Sequence, residues 1–184
     1  MDNKEKFIQL YTKYIEREGS KELFDWLCST DFFTAPASTK YHEAYPGGLV
    51  EHSLRVFHEL CRLLKAYPEL KVTAETAAIV TLLHDLCKAN FYGTELRNKK
   101  NEYGQWVKVP TYVVDEKFKF GGHGSKSVFL IQQFMKLTPE EAVAINNHMG
   151  DNVEAFNAYR AFPLAFLVHT ADMAATIDEF KGDI

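Results

Sequence analysis

Cysteine is scarce in this chain: Cys28, Cys61 and Cys87 are the only three in 184 residues, far apart and odd in number. They form no CxxC pair, which argues against a disulfide framework or a structural zinc site and suits a reducing cytoplasm. Long hydrophobic runs are missing as well. No apolar stretch approaches the roughly 18 residues that suggest a membrane span. The first residues, Met1-Asp2-Asn3-Lys4-Glu5-Lys6, are charged and lead into an amphipathic helix, so no apolar signal segment is expected there. Excess positive charge is also lacking. With a net charge of −4, the surface as a whole does not hold polyanions by bulk attraction. One local run departs from this, Arg97-Asn98-Lys99-Lys100, followed by Lys117, Lys119 and Lys126. It reads either as a solvated hairpin or as an edge facing phosphate or nucleic acid. There is no internal repeat, linker or low-complexity tract, so a single domain over residues 1–184 is expected.

What is present is mostly helical periodicity. Phe7, Leu10, Tyr11, Tyr14 and Ile15 recur at three-to-four spacing and predict a first helix ending at Gly19, with Ser20 capping a second. A Thr-, Ser-, Ala- and Pro-rich loop (residues 30–45) leads to the break Pro46-Gly47-Gly48. A third helix carries Leu49, Leu54, Val56, Phe57 and Leu60 and stops near Tyr67-Pro68. Thr73 can cap a fourth, spanning Glu75 to Lys88. Residues 94–121 read differently: Asn101-Glu102-Tyr103-Gly104 is a turn signal between two short strand-like runs, predicting an inserted β-hairpin. Gly122-His123-Gly124 opens the next helix. Thr138-Pro139-Glu140-Glu141 opens another, ending at His148-Met149-Gly150, and a last one runs from Pro163 to Phe180.

The dipeptide His84-Asp85 stands in an otherwise apolar helical stretch, Thr81 to Lys88. Adjacent residues on a helix differ by about 100° in azimuth, so both can lean toward one metal ion. The Asp85 carboxylate has two oxygens and can bridge two ions. Four more candidate ligands stand around the pair: His52, His123, His148 and Asp172. Asp172 lies in the apolar run Val168-His169-Thr170-Ala171-Asp172-Met173-Ala174, where a buried carboxylate costs several kcal/mol unless it meets a cation. Imidazole with carboxylate suits Mn, Fe, Ni, Zn or Mg.

These elements together resemble the HD-domain superfamily of metal-dependent phosphohydrolases, and within it small stand-alone bacterial and phage proteins. The resemblance covers about residues 30–178 through Pro36-Ala37-Ser38, Gly47-Gly48-Leu49-Val50-Glu51-His52-Ser53, His84-Asp85-Leu86-Cys87-Lys88, Gly122-His123-Gly124, Asn147-His148-Met149 and Ala171-Asp172. It implies an all-α HD-domain helical bundle with the small hairpin inserted, residues 1–30 packing as helices on the core. It also implies that His52, His84, Asp85 and Asp172 hold one ion and that Asp85 bridges to a second held by His123 and His148. Lys88 matches a lysine that meets a phosphate oxygen in many such enzymes. Cys87 stands where the cyclic-dinucleotide branch has Gly, and no Gly-Tyr-Pro element occurs, which argues against that branch. The chain is also similar to the HD half of bacterial 3′–5′ exoribonucleases, without their OB domain.

The expected chemistry is hydrolysis of a nucleotide-type phosphate ester by a two-metal-activated hydroxide, as a phosphomonoesterase or as a phosphodiesterase or nuclease. Asp85, Lys88 and His169 are the expected catalytic residues, His169 orienting a ligand or protonating a leaving group. Lys88 and Lys126 would face phosphate, and His42 would line the entrance. Phe91, Tyr92, Trp106 and Tyr112 could stack a base, and short single-stranded nucleic acid is a conceivable substrate. Cys87 reads as a small buried hydrophobe and His58 as surface. The same ligands would also serve a mixed-valent di-iron oxygenase, and a non-catalytic nucleotide-binding HD module is a third reading.

Overall fold

Eight α-helices and one two-stranded hairpin form among the described residues of this computed structural model, residues 1–150 and 153–177. The helices are α1 (Asn3–Tyr14), α2 (Ser20–Ser29), α3 (Gly48–Ala66), α4 (Ala74–Leu82), α5 (His123–Ile131), α6 (Pro139–Asn146), α7 (Val153–Ala161) and α8 (Pro163–Ala175). The strands β1 (Tyr92–Lys100) and β2 (Trp106–Val114) pair antiparallel between α4 and α5. No described helix is long and apolar enough to cross a membrane.

Helix α4 shows why the bundle closes around it. Every residue from Ala77 to Leu82 is buried, so it is apolar all round and needs cover on every side. Helix α3 packs against α4 and α8, and α6 packs against α4, α5 and α8. Leu49, Val56 and Leu60 of α3 meet Ile79 and Leu82 of α4 and Leu164 and Val168 of α8 in one apolar cluster. Phe7, Tyr11, Leu23, Leu27 and Phe32 belong to the same cluster, so the first two helices pack on the bundle as expected.

The turn chemistry is largely as read. Thr73 caps α4 through the Thr76 amide, and Thr138 and Glu141 form a reciprocal capping box on α6 with Pro139 at its start. The Asn101–Gly104 turn closes the hairpin, with Gly104 in the left-handed region at φ 75°. Several boundaries differ. Helix α1 stops at Tyr14, and Gly19, left-handed at φ 83°, caps α2 in place of Ser20. Helix α7 carries too weak an apolar pattern to have been expected. Helix α8 ends at Ala175, and residues 178–180 of its predicted span lie outside the described residues. The strands start at Tyr92, and residues 115–121 are not strand.

A partly buried ion-pair network ties the amino-terminal helices to the bundle. The Arg17 guanidinium donates to both oxygens of Glu141, at 2.6 and 3.0 Å, and to Glu75 at 3.1 Å. Glu141 is fully buried, so removing its partner leaves an uncompensated carboxylate. Arg17→Met should cost about 3 kcal/mol by denaturant unfolding at neutral pH. Burial would raise the Glu141 carboxyl, but Arg17, the Thr138 amide and Thr76 hold it below its ordinary 4.5. A folded-state value below the unfolded one gives stability that is present above about pH 4.5 and lost as pH falls. The gap between wild type and Arg17→Met should therefore be full at pH 7 and narrow below pH 4.5. A gap independent of pH would contradict the pairing.

Candidate metal centre

His84 and Asp85 do not lie on α4, as their spacing suggested, but just past its end. Helix α4 stops at Leu82, and a single 3-10 turn, Leu86–Lys88, follows. The cause is local. His84 Nδ1 lies 2.6 Å from the Thr81 carbonyl, taking the acceptor that a continuing helix would give to the Asp85 amide. His148 repeats the device past the end of α6, its Nδ1 lying 2.7 Å from the Ile145 carbonyl. A carbonyl only accepts, so both rings carry their proton on Nδ1 and, when neutral, present a bare Nε2. Both Nε2 atoms face Asp85, at 3.3 Å from Oδ2 for His84 and 3.6 Å from Oδ1 for His148.

The other two groups come from α3 and α8. Helix α3 starts at a crowded corner: Gly47 is left-handed at φ 82°, and a Cβ on Gly48 would stand 1.9 Å from the Glu43 carbonyl oxygen. This start places His52 in the first turns of α3, with Nε2 2.9 Å from Asp172 Oδ1 and 3.9 Å from Asp85 Oδ2. Asp172 Oδ1 also lies 3.9 Å from His84 Nε2. Nitrogen and oxygen atoms thus gather within 4.8 Å of one another in three sets among the described residues, His42-Glu43-His52, His52-His84-Asp85 and His84-His148-Asp172. His52, His84 and His148 are fully buried, and Asp85 is 3% exposed. Nonetheless Nε2 of all three histidines and Oδ1 of Asp85 make no hydrogen bond. Unpartnered buried polar atoms are costly, and here they converge on one place, which fits a divalent cation. Neutral imidazole and carboxylate are the donor chemistry that such an ion takes.

The charges are arranged around Asp85. Burial alone would raise its carboxyl, but Lys88, His84 and His148 hold it well below the usual carboxylate range. Lys88 Nζ lies 2.8 Å from Asp85 Oδ2 and, though buried, stays protonated because the Asp85 charge outweighs its desolvation. Burial would likewise raise Asp172, and His52 overrides it. Burial pushes the Cys87 thiol up to about 12, keeping it a neutral packing group, as expected.

A cavity of about 360 Å³ opens onto these groups. Asp85, Lys88, His123 and Asp172 line it, with His42 and Tyr92 on its walls. His42 thus stands where the sequence suggested, and burial beside His52 lowers its pKa to about 4. His123 reaches the cavity but belongs to none of these donor sets; its Nδ1 lies 3.5 Å from Cys87 Sγ. Two expected residues stand elsewhere. Lys126 is outside this cavity, paired with Glu116 and lying over the Phe91 ring at 5.8 Å. His169 is not in the wall either; its Nδ1 donates to the His148 carbonyl at 2.7 Å, and its ring stacks on Tyr159. Of the four aromatics, Phe91 and Tyr92 line the cavity, whereas Tyr112 lies in a separate groove and Trp106 is 68% exposed at the far end of β2. His58 is exposed. A larger hollow of about 920 Å³ beside Arg17 and Lys136 is lined by no histidine.

Sequence reasoning missed Glu43. It sits in an irregular loop with no periodicity to mark it, at the unusual φ of 44°. Its Oε2 is 3.6 Å from His52 Nδ1, while Oε1 pairs with Arg55 at 3.0 Å. A carboxylate behind a ligating imidazole orients the ring and makes it more basic. Glu43→Gln should therefore weaken Mn²⁺ binding by about 10- to 100-fold in calorimetric titration. An unchanged affinity would show that Glu43 does not act through His52.

A family model described as HD domain matches residues 49–177, a span containing His52, His84, Asp85, His123, His148 and Asp172. Comparison with curated proteins and comparison with solved structures give no match.

Proposed function

The chain belongs to the HD-domain family of metal-dependent phosphohydrolases, and from that premise we propose that it hydrolyses a nucleotide-type phosphate ester with divalent ions held at Asp85. The convergence of unpartnered Nε2 atoms of His52, His84 and His148 on the buried Asp85 carboxylate is the observation that carries this reading. His52, His84, Asp85 and Asp172 would hold one ion. Asp85 Oδ1 and His148, with His123 from the cavity wall, would hold a second. Bound there, such ions supply Lewis acidity toward a phosphate oxygen and lower the pKa of water to the neutral range.

The chain's own groups do the rest. Asp85, kept ionised, offers one oxygen to each side of the nest. Lys88 neutralises Asp85 in the free protein; once a cation shares that carboxylate, the ammonium can meet a substrate phosphate as a point charge. His42, neutral at physiological pH, can exchange a hydrogen bond with the substrate at the wall. His169 acts through His148, holding the turn that aims Nε2 inward, and is a positioning residue.

The test is a screen of metal-stripped protein with Mn²⁺, Mg²⁺, Ni²⁺, Fe²⁺ or Co²⁺ against nucleoside mono- and triphosphates, cyclic nucleotides and p-nitrophenyl esters of nucleotides. Metal-dependent release of phosphate or nucleotide is expected. Bound metal without turnover of any phosphate ester would overturn the assignment, and consumption of oxygen with iron would redirect it to an oxygenase.

A further inference from the structure

Beside the metal cavity runs a second compartment of about 560 Å³, between the hairpin and the loop over residues 39–44. Three cations line it, Lys40, Arg97 and Lys99, with the Tyr112 ring and the hydroxyls of Thr39 and Thr111. Thr39 also lines the metal cavity, so the two compartments meet at one residue. The cations are weakly engaged. Among the described residues Arg97 pairs with the exposed Glu95, at 3.6 Å, and Lys40 lies over the Tyr41 ring at 5.6 Å. This local surplus runs against a chain of net charge −4: residues 92–114 carry four basic side chains and two acidic ones.

The hairpin itself adds a second observation. Its nine residue pairs bury little, and residues 94–100 and 102–108 are exposed throughout. A two-stranded ribbon with so little cover is marginal on its own. Yet it displays Tyr103 at 78% and Trp106 at 68% exposure, with Lys100 over the Trp106 ring at 5.4 Å. Arg97 and Lys99 stand on one face of the ribbon and the cross-strand pair Lys100–Trp106 on the other. Cations with an exposed ring close by are the chemistry that holds single-stranded nucleic acid, where bases stack while the backbone is neutralised. The ribbon is rooted at the site, since Tyr92 lines the metal cavity and its hydroxyl donates to the Ala37 carbonyl at 3.0 Å.

We propose that this groove binds the phosphates of a single-stranded oligonucleotide whose terminal phosphate ester reaches the metal cavity past Thr39. The proposal rests on the phosphohydrolase reading and narrows its substrate from nucleotides in general to short single strands. One mononucleotide occupies the inner compartment; the outer one is used only by a chain that continues beyond it.

The test compares the wild-type protein with the double variant Arg97→Glu/Lys99→Glu, both side chains being exposed and outside the metal nest. In chelator, binding of a fluorescent twelve-residue oligothymidylate is followed by anisotropy over a salt series. With Mn²⁺, turnover of the p-nitrophenyl ester of thymidine monophosphate is followed in parallel. The variant should bind the oligonucleotide about tenfold more weakly or worse, with a salt dependence shallower by about 1.4 in log–log slope, two phosphate contacts being lost. Its turnover of the small ester should stay within about twofold. Equal oligonucleotide binding by the two proteins would overturn the proposal, as would equally tight binding of polyglutamate to the wild type. If no ester is turned over but the binding difference persists, the groove stands and the phosphohydrolase reading falls.

Discussion

Asp85→Asn should eliminate stable divalent-metal uptake and reduce phosphate-ester turnover by about 10²- to 10³-fold or more, the scale on which loss of one preorganised electrostatic group acts. Asn keeps the size and one acceptor oxygen, so the cavity survives, but the charge at the centre of the nest is gone. The Nε2 atoms of the three histidines face Asp85 or Asp172, and Asp85 faces His52, His84, His148 and Lys88 together. The metal-free variant should also be less stable, because Lys88 becomes a buried cation without its carboxylate; a loss of about 3 kcal/mol is expected. Metal content after dialysis, turnover and denaturant unfolding check the three parts separately. Retained metal with full activity would remove Asp85 from the site.

Lys88→Met produces the opposite split. The thioether chain matches the buried stem but carries no charge, leaving the Asp85 carboxylate without the cation 2.8 Å away. The metal-free variant should lose about 3–5 kcal/mol of stability, the cost of breaking a buried pair. Added Mn²⁺ should recover most of this, because an ion that binds only the folded state stabilises it by about 2.7 kcal/mol at 100 times its Kd. Metal affinity should therefore be at least that of wild type, while turnover falls about 10²-fold for want of a charge on the substrate phosphate. Loss of metal together with activity would make Lys88 a structural support of the nest and not a partner of substrate.

Much of this was legible from residue types and order. Helical periodicity, the Thr73 and Thr138 caps and the Asn101–Gly104 turn all formed as read, because each is a local preference that tertiary contacts reinforce. His84, Asp85 and Asp172 could be singled out because polar groups in apolar helical stretches demand a reason, His52 and His148 through the resemblance to the HD superfamily, and the structure gathers all five. What stayed hidden depends on contacts distant in sequence or on side chains competing for backbone. Apolar periodicity carried α4 through to Lys88, but the His84 side chain captures the Thr81 carbonyl and ends the helix at Leu82. Lys126 follows His123 by one turn, a spacing that suggested a shared cavity; Glu116 draws it to the other side of Phe91. His169 was read from its spacing to Asp172, whereas its partner is the His148 carbonyl on another element. Glu43 had no signal, since an irregular loop brings it to His52 only once α3 has docked.

Titration of metal-stripped protein with Mn²⁺ by calorimetry, repeated on Asp85→Asn, tests most directly whether His52, His84, Asp85, His148 and Asp172 form a ligand nest. Saturable binding that releases heat, raises the unfolding temperature of the wild type and disappears in the variant is the expected result. A wild type that takes up no divalent ion, or a variant that binds Mn²⁺ with the same affinity, would contradict the assignment of that buried cluster as a metal centre.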